Sequence, residues 1–456
     1  MTGKMIRLGA GAGYWGAELE APLKLAEEGN LDYLCFDQLA ELTMSLLERQ
    51  RIKDPSRGFI PDLPSQIEAF LPVIHETGVK IITNGGGTNC AAAVEKVIEI
   101  AREKKHTGLK IAAVGGDDVS GKIDPLVAEG WKFINLDTGE EDIGAISDRI
   151  VSAYAYTGAD GIVDALEREA DVVIAGRVSD NALYVGPMMK EFGWSYSDDI
   201  DNIGAAITIG HLIECAELVC GGMSNLWRAV PDPWNIGFPI AECHADSSAV
   251  ITKLPGTGGL VNSWTLKEHL VYEVHDPHNY IMPDGIADLT SLKLEDLGDD
   301  RVRVTKCSGK PRPDTLKVQI GYRDGYVAEA LYLIGAPEAL AKTDHSIKLF
   351  RNLLKRSGIE PVDIRFDRIG IDSISGDMFP SPAEEEVREV GLRIAVRTKT
   401  REEAVAARAH MLRVTLYGAV GLGWGAPAAV RPVISLWPTL IPRDSVDISV
   451  EVKEVG

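Results

Sequence analysis

Several residues in this chain have the types and spacing that chemistry requires. His211 and Glu214 stand three apart in HLIEC, one helical turn, so an imidazole and a carboxylate can face one point. Such a pair relays a proton or ligates a metal, although a histidine on a buried helix is more often a hydrogen-bonded core residue. Arg177 opens RVSDN, and its planar guanidinium suits a bidentate grip on a carboxylate or phosphate. Asp180, three residues on, is read either as a ligand contact or as the structural partner of Arg177. GGDD at 115–118 sets Asp117 and Asp118 after an apolar run, where paired aspartates hold a divalent ion, act as a base, or simply cap a loop. Asp37 ends another apolar run and is an acid–base candidate.

Glycines surround these groups. In NGGGTN (84–89) three consecutive glycines free backbone N–H groups to face a ligand beside Asn84, Gly86, Thr88 and Asn89. The alternative there is a tight turn, with Thr88 or Asn89 capping the next helix. GAGYWG at 11–16, with Asp37 21 residues after Gly16, matches the dinucleotide fingerprint on paper. Pro22 belongs in the first turn of a helix, which places the helix start near Glu20. The glycines then precede the helix dipole that a pyrophosphate needs, so a nicotinamide or flavin is not expected. Gly11 and Gly13 are instead expected to line a ligand cleft. Ser224 and Asn225 follow a helix-ending glycine pair and are expected to face the same cleft; Ser224 lies outside any GxSxG elbow. PGTGG at 255–259 lacks the GK[ST] of a P-loop, and HDPH at 275–278 is read as a metal contributor or, in preference, as a solvated turn.

These residues need elements to position them. Short apolar runs at 5–9, 32–37, 79–84, 109–115, 132–137 and 171–176 read as strands. Amphipathic stretches such as 63–77 and 91–105 alternate with them, which implies βαβ units and a parallel sheet covered on both faces. A further helix is expected over 198–222. The turn-rich PDPWNIGFP (231–239) suggests a boundary, giving an α/β parallel-sheet domain over 1–235 and a smaller α/β or α+β domain over 236–456. In that second part 301–307, 315–322 and 391–399 read as strands, and 336–355 and 400–417 as helices. The fold class expected is α/β with a doubly wound parallel sheet; a barrel of eight βα units is the alternative. In an open sheet of that kind, ligands bind at the carboxyl ends of the strands, where the glycine-rich loops, Asp37, Asp118 and Arg177 would converge.

Composition narrows the function. With 456 residues, 47 Lys+Arg against 68 Asp+Glu and a net charge of −21, the chain is globular and acidic, and no basic run offers a face to nucleic acid. The six cysteines form no CxxC pair and fit no structural zinc template. No stretch of 18 apolar residues and no apolar leader occur, so the expectation is a reduced, cytoplasmic protein without membrane association.

Taken in order, GAGAGYWG (9–16), LDYLCFDQLAELTM (31–44), KIITNGGGTN (80–89), DVVIAGRVSD (171–180), GHLIECAELVCGG (210–222), ITKLPGTGGLV (251–261) and DRVRVTKCSGKPRPDTLKV (300–318) resemble the acyclic terpene utilisation (AtuA) family. TNGGGTN stands where TNAGGLNP is more usual, and GRVSDN where GRVADA is. The resemblance implies a role in catabolism of branched or terpenoid acids among enzymes of acyl-CoA chemistry, and a small companion subunit. The expectation that follows is an enzyme acting on a small or branched carboxylic acid or its CoA thioester, of lyase or hydratase type, working as a homo-oligomer. Its acid–base candidates are Asp37, Asp118, His211 and Glu214. A divalent metal held by Asp117, Asp118, His211 and Glu214 is a second form of that chemistry. A partner-dependent scaffold or binding subunit is the alternative function.

Overall fold

The computed structural model describes residues 4–456 in two compact units. One takes the chain up to Gly321 and again over Leu436–Gly456; the other is Tyr322–Ser435.

In the first unit the chain runs β1 (Met5–Ala12), α1 (Glu20–Glu28), β2 (Tyr33–Phe36), α2 (Glu41–Lys53), α3 (Leu63–Thr77), β3 (Lys80–Thr83), α4 (Cys90–Glu103), β4 (Lys110–Gly115), α5 (Ile123–Ala128), β5 (Ile150–Ala155), α6 (Asp160–Glu167), β6 (Val172–Ala175), α7 (Ala182–Phe192) and α8 (Ile200–Glu214). It continues with β7 (Pro239–His244), β8 (Ala249–Lys253), α9 (Ser263–Leu270), β9 (Tyr280–Met282), β10 (Gly285–Asp288), β11 (Lys293–Gly298), β12 (Arg301–Thr305) and β13 (Ser308–Lys310). Five strands are parallel, in the order β1-β2-β3-β6-β4. Their residues are almost all buried because helices cover both faces. In β2, Phe36 meets Phe70 of α3 edge-on at 5.3 Å, while Tyr33 donates to Glu191 of α7 and the Cys35 thiol to the Leu183 carbonyl of α7. Successive side chains of a strand point to opposite faces, so α3 and α7 lie on opposite sides.

The sheet is mixed, where a parallel one was expected. β7, β8, β12 and β11 extend it antiparallel from β1, and the C-terminal strand β18 (Ser449–Glu454) pairs antiparallel with β4. Short turns force two of these pairings. β7 and β8 are joined by an Asp246–Ser248 turn, and β11 and β12 by Asp299 and Asp300, both at positive φ. Loops this short connect only antiparallel neighbours. The expected boundary near 235 therefore falls inside one sheet, because β7 pairs directly with β1. Residues 132–137 form no strand, and β5, which the sequence reading missed, takes that place in the chain.

α8 packs against β1 and β7 on one side and the small sheet β13-β10-β9 on the other. Its sequence is apolar all round, so nearly every residue from Ile203 to Glu214 is buried, His211 and Glu214 among them. Asp284, between β9 and β10, is also buried; one oxygen accepts from the Ala159 amide (2.8 Å) at the start of α6 and from the Tyr196 hydroxyl (2.6 Å). Burial pushes its carboxyl up to about 6. Its proton therefore favours folding below about pH 4, and that contribution disappears as pH rises through 6, a swing of about 3 kcal/mol. In Asp284→Asn the swing is absent. Urea unfolding of both proteins at pH 4.5 and 7 checks this: the variant gains relative to wild type at the higher pH, and an unchanged difference between them would contradict it.

In the second unit β14 (Thr315–Gly335, entering from the first unit), β15 (Asp363–Ile369), β16 (Glu389–Thr398) and β17 (Leu422–Pro442) form a sheet ordered β15-β16-β14-β17, packed with α10 (Ala339–Arg356) and α11 (Arg401–Tyr417). Alternation along β16 turns Val390, Leu392, Ile394 and Val396 inward. Thr400 and Glu403 close a capping box at the start of α11, each side chain accepting from the other's amide.

Candidate functional site

Because the five central strands are parallel, their carboxyl ends share one edge, and the residues after β2, β3 and β6 meet there. Asn84 donates to Asp37 Oδ1 (2.5 Å) and accepts from the Gln38 amide (2.8 Å). The Arg177 guanidinium donates to the Leu39 carbonyl (2.6 Å) and to Asp180 Oδ1 (2.8 Å), with its central carbon 4.0 Å above the Tyr156 ring. The Arg177 amide donates to Asp117 Oδ2 (2.7 Å), which fixes the turn. From α8, His211 Nδ1 lies 3.0 Å from Glu214 Oε1 and 3.3 Å from the Tyr280 hydroxyl. His269 of α9 stacks on His211 at 5.1 Å, and its Nε2–H donates to the His211 carbonyl (2.7 Å).

Burial and like charge dominate the electrostatics. Asp37 is held well above the usual carboxylate range by burial and by the charge of Asp180, with Arg177 and Asn84 opposing. Burial, then Asp180 and Glu273, raise Glu214 in the same way. Burial lowers His211 to about 4 and His269 to about 3, so both imidazoles are neutral at physiological pH. Asp180 is raised by burial, while the adjacent guanidinium pulls it back toward its charged form. Six buried polar atoms here have no hydrogen-bond partner among the described residues: Arg177 Nε, Asn181 Nδ2, the hydroxyls of Tyr156 and Tyr184, His211 Nε2 and Glu214 Oε2. Each unmet atom costs about 1–3 kcal/mol, so their concentration around one acid–base cluster marks it as a place for a polar ligand.

The structure thus brings together Asp37, Asn84, Arg177, Asp180, His211 and Glu214. Asp118 lies apart from His211 and Glu214, in a cleft of about 380 Å³ lined also by Arg51, Thr88, Asn89 and Tyr154, with Arg51 3.5 Å from its carboxylate. The four residues Asp117, Asp118, His211 and Glu214 accordingly form no single ligand set; among the described residues the cluster able to hold a metal is His211, Glu214 and His269. Ser224 and Asn225 are tied to Glu268 of α9, the serine hydroxyl to one carboxylate oxygen and the asparagine to the other.

The glycines behave differently from expectation. The amides of Gly85, Gly86 and Gly87 donate to Thr83 Oγ1, the Ala175 carbonyl and the Asn84 carbonyl, so none faces a ligand. Glycine is required at 86 because a Cβ there would lie 2.7 Å from the Ala175 oxygen and 2.8 Å from the Cys90 sulfur. Thr88 donates to the Gly58 carbonyl, and Asn89 caps α4 and holds the Pro55 and Arg57 carbonyls. Gly11 sits inside β1 against the Phe36 ring. A Cβ on Gly13 would lie 2.7 Å from Cys215 Cα, main chain against main chain, at the end of α8 that carries Glu214. Gly13→Val is accordingly expected to lose about 1–3 kcal/mol of stability. Chemical denaturation measures it, and wild-type stability would show that the two backbones are free to separate. α1 begins at Glu20, with Glu18 accepting from the Glu20 (2.6 Å) and Ala21 (3.2 Å) amides, so the protein's own carboxylate covers that helix start.

Tyr156, Asn181, Tyr184, His269 and Tyr280 were not singled out from the sequence. Asn181 alone had a signal, as the residue after Asp180 in the arginine motif. His269 and Tyr280 lie 58 and 69 residues from His211 and carry no local signal.

The fold and this cluster define a mixed α/β protein with a buried cluster of acidic, histidine and arginine side chains at the carboxyl edge of its parallel strands. The chain belongs to the AtuA family: the profile described as Acyclic terpene utilisation family protein AtuA matches residues 6–452. No curated protein and no solved structure matches it. Among the described residues no helix is long and apolar enough to cross a membrane.

Proposed function

We propose that the chain is a catabolic enzyme that adds water to, or removes it from, a branched acid carried as its CoA thioester. The observation that supports this reading is the neighbouring pair Asp37 and Asp180, both raised by burial, one bonded to Asn84 and the other to Arg177. Two carboxyls in unlike environments divide into acid and base. In the eliminating direction Asp180 takes the α-proton of a β-hydroxyacyl thioester, the C=C bond forms, and the C–O bond breaks. Asp37 gives its proton to the departing hydroxyl, which leaves as water. A proton returned from Asp180 to Asp37 resets the pair. The unpartnered Arg177 Nε and tyrosine hydroxyls are donors for the carbonyl oxygen as it becomes enolate-like.

A thioester fits better than a free acid. The nearby carboxylates outnumber the one guanidinium facing them, and Arg177 is already engaged by Leu39 and Asp180, so it is a poor clamp for a further carboxylate. The experiment is a panel of branched β-hydroxyacyl and enoyl thioesters beside their free acids, followed by enoyl absorbance and mass spectrometry. Turnover of thioesters alone is expected. Turnover of free acids instead would reverse the substrate assignment, and inertness to the whole panel would remove the lyase reading.

A second reading, a chain that completes its site only with a companion subunit, is favoured by exposed Trp264, bonded to Glu268, and by exposed Met223 and Trp227, which flank the Ser224–Asn225 pair bonded to the same carboxylate. Co-purification with turnover that requires the partner supports it; turnover by the isolated chain excludes it.

A further inference from the structure

We infer that the imidazoles of His211 and His269 and the carboxylate of Glu214 form a binding site for one divalent transition-metal ion. The inference stands on the α8–α9 packing and does not depend on the reaction proposed above. His211 and Glu214 come to one point because they are a turn apart on α8, and α9 packs across that helix to add His269. One ligand atom from each residue lies within 4.8 Å of the other two, and all three residues are buried.

Three independent features point to a cation. First, two imidazoles and a carboxylate are the donor set of mononuclear zinc and non-haem iron or manganese sites. Second, His211 Nδ1 and Glu214 Oε1 already stand 3.0 Å apart, and Glu214 Oε2 is a buried atom with no partner among the described residues. His269 gives its Nε2 proton to the His211 carbonyl, which leaves Nδ1 as that ring's lone pair. An imidazole anchored by one nitrogen to a backbone carbonyl, with the other nitrogen available, is the usual support for a metal-bound histidine. Third, Glu273 adds negative charge near Glu214, and the nearby guanidinium of Arg177 is already matched to Asp180. A dication offsets that excess.

Ligands on a tetrahedral ion with bonds of about 2.1 Å stand about 3.4 Å apart. Loading therefore draws the cluster, whose ligand atoms lie within 4.8 Å, inward by at most about 1.4 Å, and one of the two stacked rings rotates about its Cα–Cβ and Cβ–Cγ bonds to aim its lone pair. This set is distinct from the cleft of Asp118 and Arg51, where an acid already meets a base.

The test uses the full chain purified without chelators and then stripped. Metal content by mass spectrometry and titration with Zn²⁺, Mn²⁺ and Co²⁺ against a competing chelator are expected to give one equivalent per chain. Co²⁺ is expected to show the visible bands of nitrogen and oxygen ligation, and Zn²⁺ to raise the melting temperature. Glu214→Gln and His269→Gln are expected to weaken binding by at least about 100-fold. Asp118→Asn is expected to bind as wild type. Binding without any stoichiometric site, or loss of the ion in Asp118→Asn but not in His269→Gln, would overturn the inference. Should His269→Gln fail to fold, the Glu214→Gln titration and the Zn²⁺-dependent melting shift of wild type decide it, absence of both being the negative result.

Discussion

Asp37→Asn is expected to fold as wild type and to lose turnover by about 10²–10⁴-fold, the range typical of a lost general acid. The substitution isolates the proton. An asparagine at 37 still offers an oxygen to Asn84 Nδ2, fills the same volume, and matches the protonated carboxyl in charge. Only the ability to release and regain a proton is removed. Stability by urea denaturation is expected to stay within about 1 kcal/mol of wild type, since no buried charge is created. The loss is expected in kcat more than in KM, because the proton is required in the transition state rather than for binding. Turnover within threefold of wild type, in a folded variant, would exclude Asp37 as the acid.

Arg177→Ala is expected to be the most destabilising single substitution at this edge, at about 3–5 kcal/mol. The side chain is 2% exposed and performs three tasks. It neutralises Asp180, satisfies the Leu39 carbonyl, and stacks on the Tyr156 ring. Truncation leaves a carboxylate neighbouring the raised Asp37 without compensation, an unmet backbone oxygen and a void. Lysine keeps the charge but not the fork, so Arg177→Lys is expected to recover only part of the loss. Denaturant titration with tryptophan fluorescence measures both. A loss below about 1 kcal/mol in the alanine variant would mean that the Arg177–Asp180 pair is solvated and contributes little, as exposed pairs do.

These expectations rest on residues legible from sequence to different degrees. By type and position Arg177 suits either a clamp for an external anion or the partner of Asp180; the structure places Asp180 2.8 Å away. Asn84 was placed at a strand end by its apolar run, but its bond to Asp37 depends on β2 and β3 being neighbours in register, which no local pattern states. The glycines of NGGGTN were conspicuous for a reason other than donor exposure: they let α4 begin close against β6.

By itself, the sequence determined the local order. Continuous apolar runs specified β1, β2, β3, β4 and β6; the 3.6-residue period specified α3 and α4; Pro22 set the start of α1, and Thr88-Asn89 narrowed that of α4 to two residues, of which Asn89 is the cap. The tertiary structure alone decided adjacency. β6 enters between β3 and β4, which sets Arg177 between Asn84 and Asp117. α9 and β9 close over α8 and bring His269 and Tyr280 to His211 across 58 and 69 residues. The reason is physical. Periods of two and 3.6 residues report only which face of a segment is buried, whereas a buried acid–base cluster is made by the order in which those faces pack, and that order is set by non-local contacts that no short window contains.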